Sequence, residues 1–230
     1  MSNAGLSHTG SSNTAMPSVS VPSRTEAVLD SLKTAILTGR LPPGHALVEN
    51  ELAAQLGVSK TPVREALKTL AGAGLVTMSP YKGAAVRTVD DRLAHSVYDI
   101  RLLLEPEAVR RAVALGRPEL EEHKRRAEEA LQTADASNDQ AQRSMANRDF
   151  HRSLYLGCGN DLMVNILDDL RDQTALVSTV VWNRTPSWEQ EAAEHRAILE
   201  AVSFGDADGA ADLLRTHIDS FVERNFGAAG

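Results

Sequence analysis

The stretch from Glu49 to Leu70 constrains this chain more than any other. Leu52, Ala53 and Leu56 recur at helical spacing, Gly57 breaks the run, and Val63, Leu67 and Leu70 resume it along one face of a second helix. Ser59 or Thr61 can cap that second helix, and Pro62 is tolerated in a first turn whose backbone N–H groups lack partners. Lys60, Arg64 and Lys68 then fall on the opposite face. Two short helices joined by a tight turn, the second with an apolar back and a basic front, suit the reading of a major groove.

The flanks extend the pattern. Thr25 to Leu37 carries apolar residues at Val28, Leu32, Ile36 and Leu37, a helix ended by Gly39, and Pro42-Pro43-Gly44 makes a turn. After Gly74, the segments Leu75 to Ser79 and Ala84 to Thr88 read as short strands. Pro80-Tyr81-Lys82-Gly83 joins them as a hairpin wing with a cation at its tip. A basic helix face alone is as often solvated surface as nucleic-acid contact. The full order of helix, turn, helix, basic helix and hairpin is far more restrictive. Charge agrees: residues 21 to 88 hold eight bases and five acids, a balance of +3 within a chain of net −7, so residues 89 to 230 carry −10. The basic module is suited to phosphate and the acidic one is repelled by it.

These residues carry a resemblance. The runs I-L-T-G-R-L-P-P-G, E-N-E-L-A-A-Q-L-G-V-S-K-T-P-V-R-E-A-L-K-T-L, G-L-V and K-G-A-A-V, between Ile36 and Val86, resemble the winged helix of the GntR family of bacterial transcription regulators. The resemblance implies that Lys60, Thr61 and Arg64 face DNA, that Lys82 and Gly83 approach the minor groove, and that Asn50 touches the backbone. Ser59 and Lys68 complete the expected DNA-facing set. Arg is common in the family at the Asn50 and Lys60 positions, and only Arg offers a planar fork for bidentate guanine contact.

From Asp90 onward the chain reads as successive helices: one bearing the stripe Val97, Arg101, Leu104 and Ala108, then Leu120 to Leu131, a polar loop at Ala136 to Asp139, and Ala141 to Leu156. Leu162 to Val181, Glu189 to Phe204 and Asp206 to Phe226 follow, an antiparallel set expected to share one core. Three histidines have apolar company on three different helices. His151 follows Phe150 and precedes Leu154, His195 stands between Ala192 and Ile198, and His217 lies among Leu213, Leu214 and Phe221. One inward histidine is usually a satisfied core residue, but burying three without a metal or a hydrogen-bond network would be costly. Asn147, four residues before His151, shares its helix face and can add an oxygen donor to the same cation.

The pattern Asn147-x-x-Phe150-His151, Glu194-His195-x-x-Ile198 and Arg215-x-His217 resembles the FCD effector domain of the FadR-type GntR subgroup. The resemblance implies a divalent ion, zinc, nickel or manganese, held by Asn147, His151, His195 and His217. Asn where the family also uses Asp removes one negative charge from that set. Arg101 matches the position of an arginine beside the effector, and an internal ion pair with Glu105 is the alternative reading of the same residue.

The expected architecture is therefore mainly α: a disordered tail over residues 1–22, a winged helix-turn-helix over 23–88, and an all-helical effector and dimerisation domain over 90–226. Only 4% of residues are aromatic, which suits helices packed through Leu, Val and Ala. A lone cysteine, Cys158, excludes an internal disulfide and a C-x-x-C metal or redox site. No apolar run reaches the length of a membrane span, and the N-terminus lacks the basic start and apolar run of a secretory signal, so a cytoplasmic protein is expected. The expected partners are a near-palindromic operator bound by a homodimer and a small organic acid. A metal enzyme using Glu194 as general base is the competing reading, and a helical interaction module, which leaves the histidines unexplained, is the third.

Overall fold

In a computed structural model the described residues are 23–81, 83–182 and 188–227, so the tail over 1–22 and the wing-tip Lys82 lie outside them. The N-terminal part runs α1 (Arg24–Leu37), β1 (Ala46–Leu47), α2 (Glu49–Leu56), α3 (Lys60–Gly72), β2 (Val76–Ser79) and β3 (Gly83–Val86). Helix α1 starts at a capping box in which Glu26 N–H donates to Ser23 Oγ at 3.2 Å and Ser23 N–H to Glu26 Oε2 at 2.5 Å. Helix α2 stops at Gly57, whose φ of 65° is left-handed and carries no Cβ penalty. Ser59 holds the N-cap position of α3, but its side chain makes no capping bond, and Thr61 is already inside the helix.

The wing is richer than its sequence suggests. Three strands, not two, form an antiparallel sheet in the order β1-β3-β2, with Ala46 opposite Ala85 and Val76 opposite Val86. Strand β1 has two residues and no alternation of its own, so only its pairing with β3 defines it.

Val63, Ala66, Leu67 and Leu70 of α3 are fully buried against Val28, Leu32 and Ile36 of α1. Each large side chain so buried contributes about 1.5–3 kcal/mol, which fixes the rotation of α3 and leaves Lys60, Thr61, Arg64 and Lys68 outside.

Helices α4 (Asp91–Leu115), α5 (Glu119–Ala136), α6 (Gln140–Tyr155), α7 (Asp161–Trp182), α8 (Trp188–Phe204) and α9 (Ala207–Phe226) enclose a second core. Helix α5 runs a full turn past its expected end, so the loop before α6 shrinks to residues 137–139, with Asp139 capping α6. Tyr98 of α4 stacks on Phe221 of α9 at 4.9 Å, and α4 also packs against α7.

Helix α7 also belongs to the first core. Its Ala175 and Leu176 are buried among the winged-helix side chains, and Thr179 Oγ1 donates to the Leu37 carbonyl at 3.2 Å. Lys33 of α1 pairs with Asp172 at 2.5 Å. Gly74, with φ of 74°, lies so close to Gln173 that a Cβ there would stand 2.7 Å from its side chain. The long helix α7 therefore packs into both cores.

Candidate functional site

Asn50 at the start of α2, Ser59 at the N-cap of α3, Lys60, Thr61, Arg64 and Lys68 along α3, and Gly83 in the wing are all exposed. Arg64 is not free: its Nε donates to Glu49 Oε1 at 3.0 Å and its Nη2 to Glu49 Oε2 at 2.8 Å. Lys68 pairs with Glu65 at 3.0 Å. Glu49, which composition counts merely as an acid, thus orients the central arginine of the face.

In the other half, His151 of α6, His195 of α8 and His217 of α9 converge, 5%, 0% and 5% exposed. One nitrogen from each lies within 4.8 Å of the other two, the one group of this kind among the described residues. Leu214 and Phe221 surround His217 as expected, whereas Leu213 turns outward and is 40% exposed.

Neighbours set the tautomers. His217 Nδ1–H donates to Glu194 Oε2 at 2.6 Å, and Arg224 holds the other carboxylate oxygen at 3.0 Å. Glu194 is therefore the orienter of a histidine rather than a free general base. Burial pushes its carboxyl up, but His217 and Arg224 overcome this and hold it at about 2. On α6, His151 Nδ1–H donates to Glu105 Oε2 at 3.1 Å, leaving His151 Nε2 buried with no partner among the described residues. His195 Nε2 and His217 Nε2 face each other at 3.1 Å. Burial drives the His151 imidazole down to about 4 against the pull of Glu105, and drives His195 well below the ordinary histidine range, with His217 adding to the effect. His151 and His195 are thus held neutral, the form that ligates metal.

This donor set fits a cation. Two imidazole nitrogens about 2.0–2.1 Å from one ion stand about 2.8–3.4 Å apart at octahedral or tetrahedral angles, which covers the separation of His195 and His217. Asn147, 6% exposed and one turn before His151, keeps its Oδ1 buried and unpartnered among the described residues. Carboxylates behind His151 and His217 are the supporting partners that metal-binding histidines ordinarily have.

Arg101 is 3% exposed and bonds Glu105 at 2.6 Å through Nε, while its guanidinium lies 4.7 Å over the Tyr98 ring. Burial would raise the Glu105 carboxyl, but Arg101 and His151 hold it well below the usual range. The internal ion pair read from sequence is thus present, and the same arginine also stands 3.4 Å from His151 Nδ1. Beside it is a cavity of about 10 Å³, lined by Arg101, Asn147, His151, Arg148, Arg171 and Thr174 among others, roughly the room of one water. Sequence reasoning passed over Arg148 and Arg171, because helical periodicity does not show which arginines a neighbouring helix will cover.

Known proteins agree with this anatomy. Residues 24–86 match the family described as "Bacterial regulatory proteins, gntR family", and residues 96–220 match the FCD domain. The chain belongs to the GntR family, in its FadR-like subgroup with an FCD domain. It is 31% identical over 195 residues to a Paenarthrobacter nicotinovorans protein named "Probable D-xylose utilization operon transcriptional repressor", covering 85% of each chain. A GntR regulator structure from Rhodococcus sp. RHA1 superposes with a TM-score of 0.79 at 25% identity, covering 90% of this chain and 99% of that one. McbR/YncC of E. coli gives a TM-score of 0.73 at 25% identity, over 90% and 98% of the two chains. These families and relatives are transcriptional regulators and not enzymes, and this chain is a transcriptional regulator with a GntR DNA-binding domain and an FCD domain. Among the described residues no helix is long and apolar enough to cross a membrane.

Proposed function

We propose that this regulator binds a near-palindromic operator as a homodimer and that a small organic acid, seated at a divalent ion in the helical domain, sets its operator affinity. One observation carries this reading: His151, His195 and His217 are buried together, with His151 and His217 turned by Glu105 and Glu194 so that Nε2 faces the common centre. Asn147 Oδ1 is the fourth donor, and the ion is zinc, nickel or manganese, since three imidazoles discriminate poorly among them. The ion would supply a Lewis-acidic anchor for a carboxylate.

The protein's own residues supply the rest. Asn50, Ser59, Lys60, Thr61, Arg64, Lys68, Lys82 and Gly83 form the DNA-binding set, with Arg64 held ready by Glu49. Arg101 faces the effector. Asp172 offers a route between the two sites, because it accepts from Lys33 of α1 at 2.5 Å and from Arg148 of α6 at 3.0 Å. An acid that draws Arg148 toward the cavity weakens its hold on Asp172 and so changes how α1 sits on α7. The ligand alters operator affinity by its differential affinity for the two placements.

A second copy has a surface to meet. Ile100 and Leu103 of α4 and Leu162 and Ile166 of α7 are 38%, 75%, 69% and 41% exposed, on two helices that pack together. Such a regulator works in the cytoplasm, where its DNA is.

Elemental analysis of the purified chain, followed by thermal shift with small carboxylates with and without divalent ions, tests the proposal. About one ion per chain and a carboxylate shift that requires it are expected. A chain that stays metal-free after dialysis against each ion, yet remains folded, contradicts the site.

A further inference from the structure

Arg148 and Arg171 line the same small cavity from α6 and α7, with side chains 14% and 23% exposed. Each spends a terminal nitrogen on an aspartate, Arg148 Nη1 on Asp172 at 3.0 Å and Arg171 Nη2 on Asp149 at 2.5 Å. Each also keeps a buried Nε–H with no acceptor among the described residues. A buried donor without a partner costs about 1–3 kcal/mol, more when charged, and two in one wall call for an explanation. The two guanidiniums also repel: burial and the neighbouring Arg148 charge push Arg171 below the ordinary arginine range. Asn147 and His151 line the same cavity at its metal-binding side.

We infer that the effector carries two anionic groups, the second of which seats between Arg148 and Arg171. One carboxylate would be taken at the metal and Arg101, and the other would accept the two orphaned Nε–H donors and offset the repulsion. The ligand class is thus a short dicarboxylic acid, not a monoacid or a neutral sugar. The arginines and the metal donors Asn147 and His151 bound one cavity of about 10 Å³, which must open to admit a ligand. An opening is at hand. Arg171 also lines an outer groove of about 590 Å³ together with Asp149, so the exposed Asp149–Arg171 pair stands between groove and cavity. An incoming carboxylate can take Asp149's place on Arg171 and continue inward.

This inference rests on the carboxylate reading above, and the test separates the two. Isothermal titration on the full zinc-loaded chain compares malonate, succinate, glutarate and adipate with monoacids of the same carbon number, propionate to hexanoate. At least one diacid should bind about tenfold or more tighter than its matched monoacid, the scale of one charge-assisted contact pair. Arg148→Gln and Arg171→Gln should each cut that preference severalfold, weakening the diacid far more than its matched monoacid. Arg148→Lys, which keeps the charge, should retain part of it. Retained monoacid binding and a cooperative thermal melt show that the variants fold. Equal binding of diacids and monoacids, or a diacid preference that survives both Gln variants, overturns the second subsite alone. Binding by neither series overturns the carboxylate reading and the subsite with it.

Discussion

Lys33 of α1 and Asp172 of α7 form a 2.5 Å ion pair between the winged-helix domain and the FCD domain, and the same carboxylate holds Arg148 at the cavity wall. If this bridge transmits ligand binding, Asp172→Asn should leave carboxylate affinity within a few-fold of wild type. It should also shrink the change that the ligand makes in operator affinity, a coupling typically worth about 1–3 kcal/mol. Titrations of ligand in the presence and absence of operator DNA measure it, and full coupling in the variant would exclude this route.

Arg64 reaches DNA only by leaving Glu49 or by carrying that carboxylate along as an orienter. Arg64→Ala should cost about 1–3 kcal/mol of operator affinity and relax base preference at one position of each half-site. Lys82→Ala should weaken binding to every sequence and lower the salt slope by about 1. Gel shifts at several salt concentrations separate the two, and unchanged affinity in Arg64→Ala would take α3 out of the groove.

Arg101 and Glu105 are both buried, so removing one strands the other. Arg101→Met should destabilise the protein by about 3–5 kcal/mol, and Arg101→Met with Glu105→Leu should recover much of that loss, since an apolar pair needs no partner. The double variant should still fail to respond to carboxylates. Chemical denaturation and thermal shift read the two effects separately, and a double variant that responds normally would assign Arg101 to structure alone.

Asp168 carries an acid-sensitive tie between α6 and α7. Burial pushes its carboxyl up, but hydrogen bonds from Arg152 at 2.8 Å and Tyr155 at 2.7 Å outweigh this and leave it below the usual value. A depressed carboxyl contributes stability that is present above the unfolded pKa of about 3.9 and is lost as pH falls through the folded value. Asp168→Asn should therefore lower stability by about 1–3 kcal/mol at pH 7 and converge on wild type at acid pH. Melting curves between pH 7 and 3 check it, and a difference that does not shrink with acid would refute the assignment.

Much of this was legible before any coordinates. The α3 faces follow from Val63, Leu67 and Leu70 alone, and the histidine cluster from three imidazoles in apolar company. Strand β1 was not legible, because two residues have no period and their pairing with β3 is a tertiary fact. Nor were the partners that tune the sites: Glu49 on Arg64, Asp172 between Lys33 and Arg148, and the unsatisfied Arg148 and Arg171 all join residues from different helices. Leu213 looked inward by spacing and turned out because the core side of α9 is filled by Leu214, Ile218 and Phe221.

The most direct measurement is operator binding by wild type and His195→Ala, each with and without the carboxylate that most stabilises the zinc-loaded wild type. Fluorescence anisotropy on an operator fragment should show wild-type affinity changing about fivefold or more with ligand. His195→Ala should bind the ligand-free operator as wild type does, because the core that holds the winged helix, with Leu32, Ile36, Leu52, Val63 and Leu67, includes none of the three clustered histidines, and it should ignore the ligand. A ligand response that persists in His195→Ala, or operator binding that is lost without ligand, would contradict an effector-sensing metal centre.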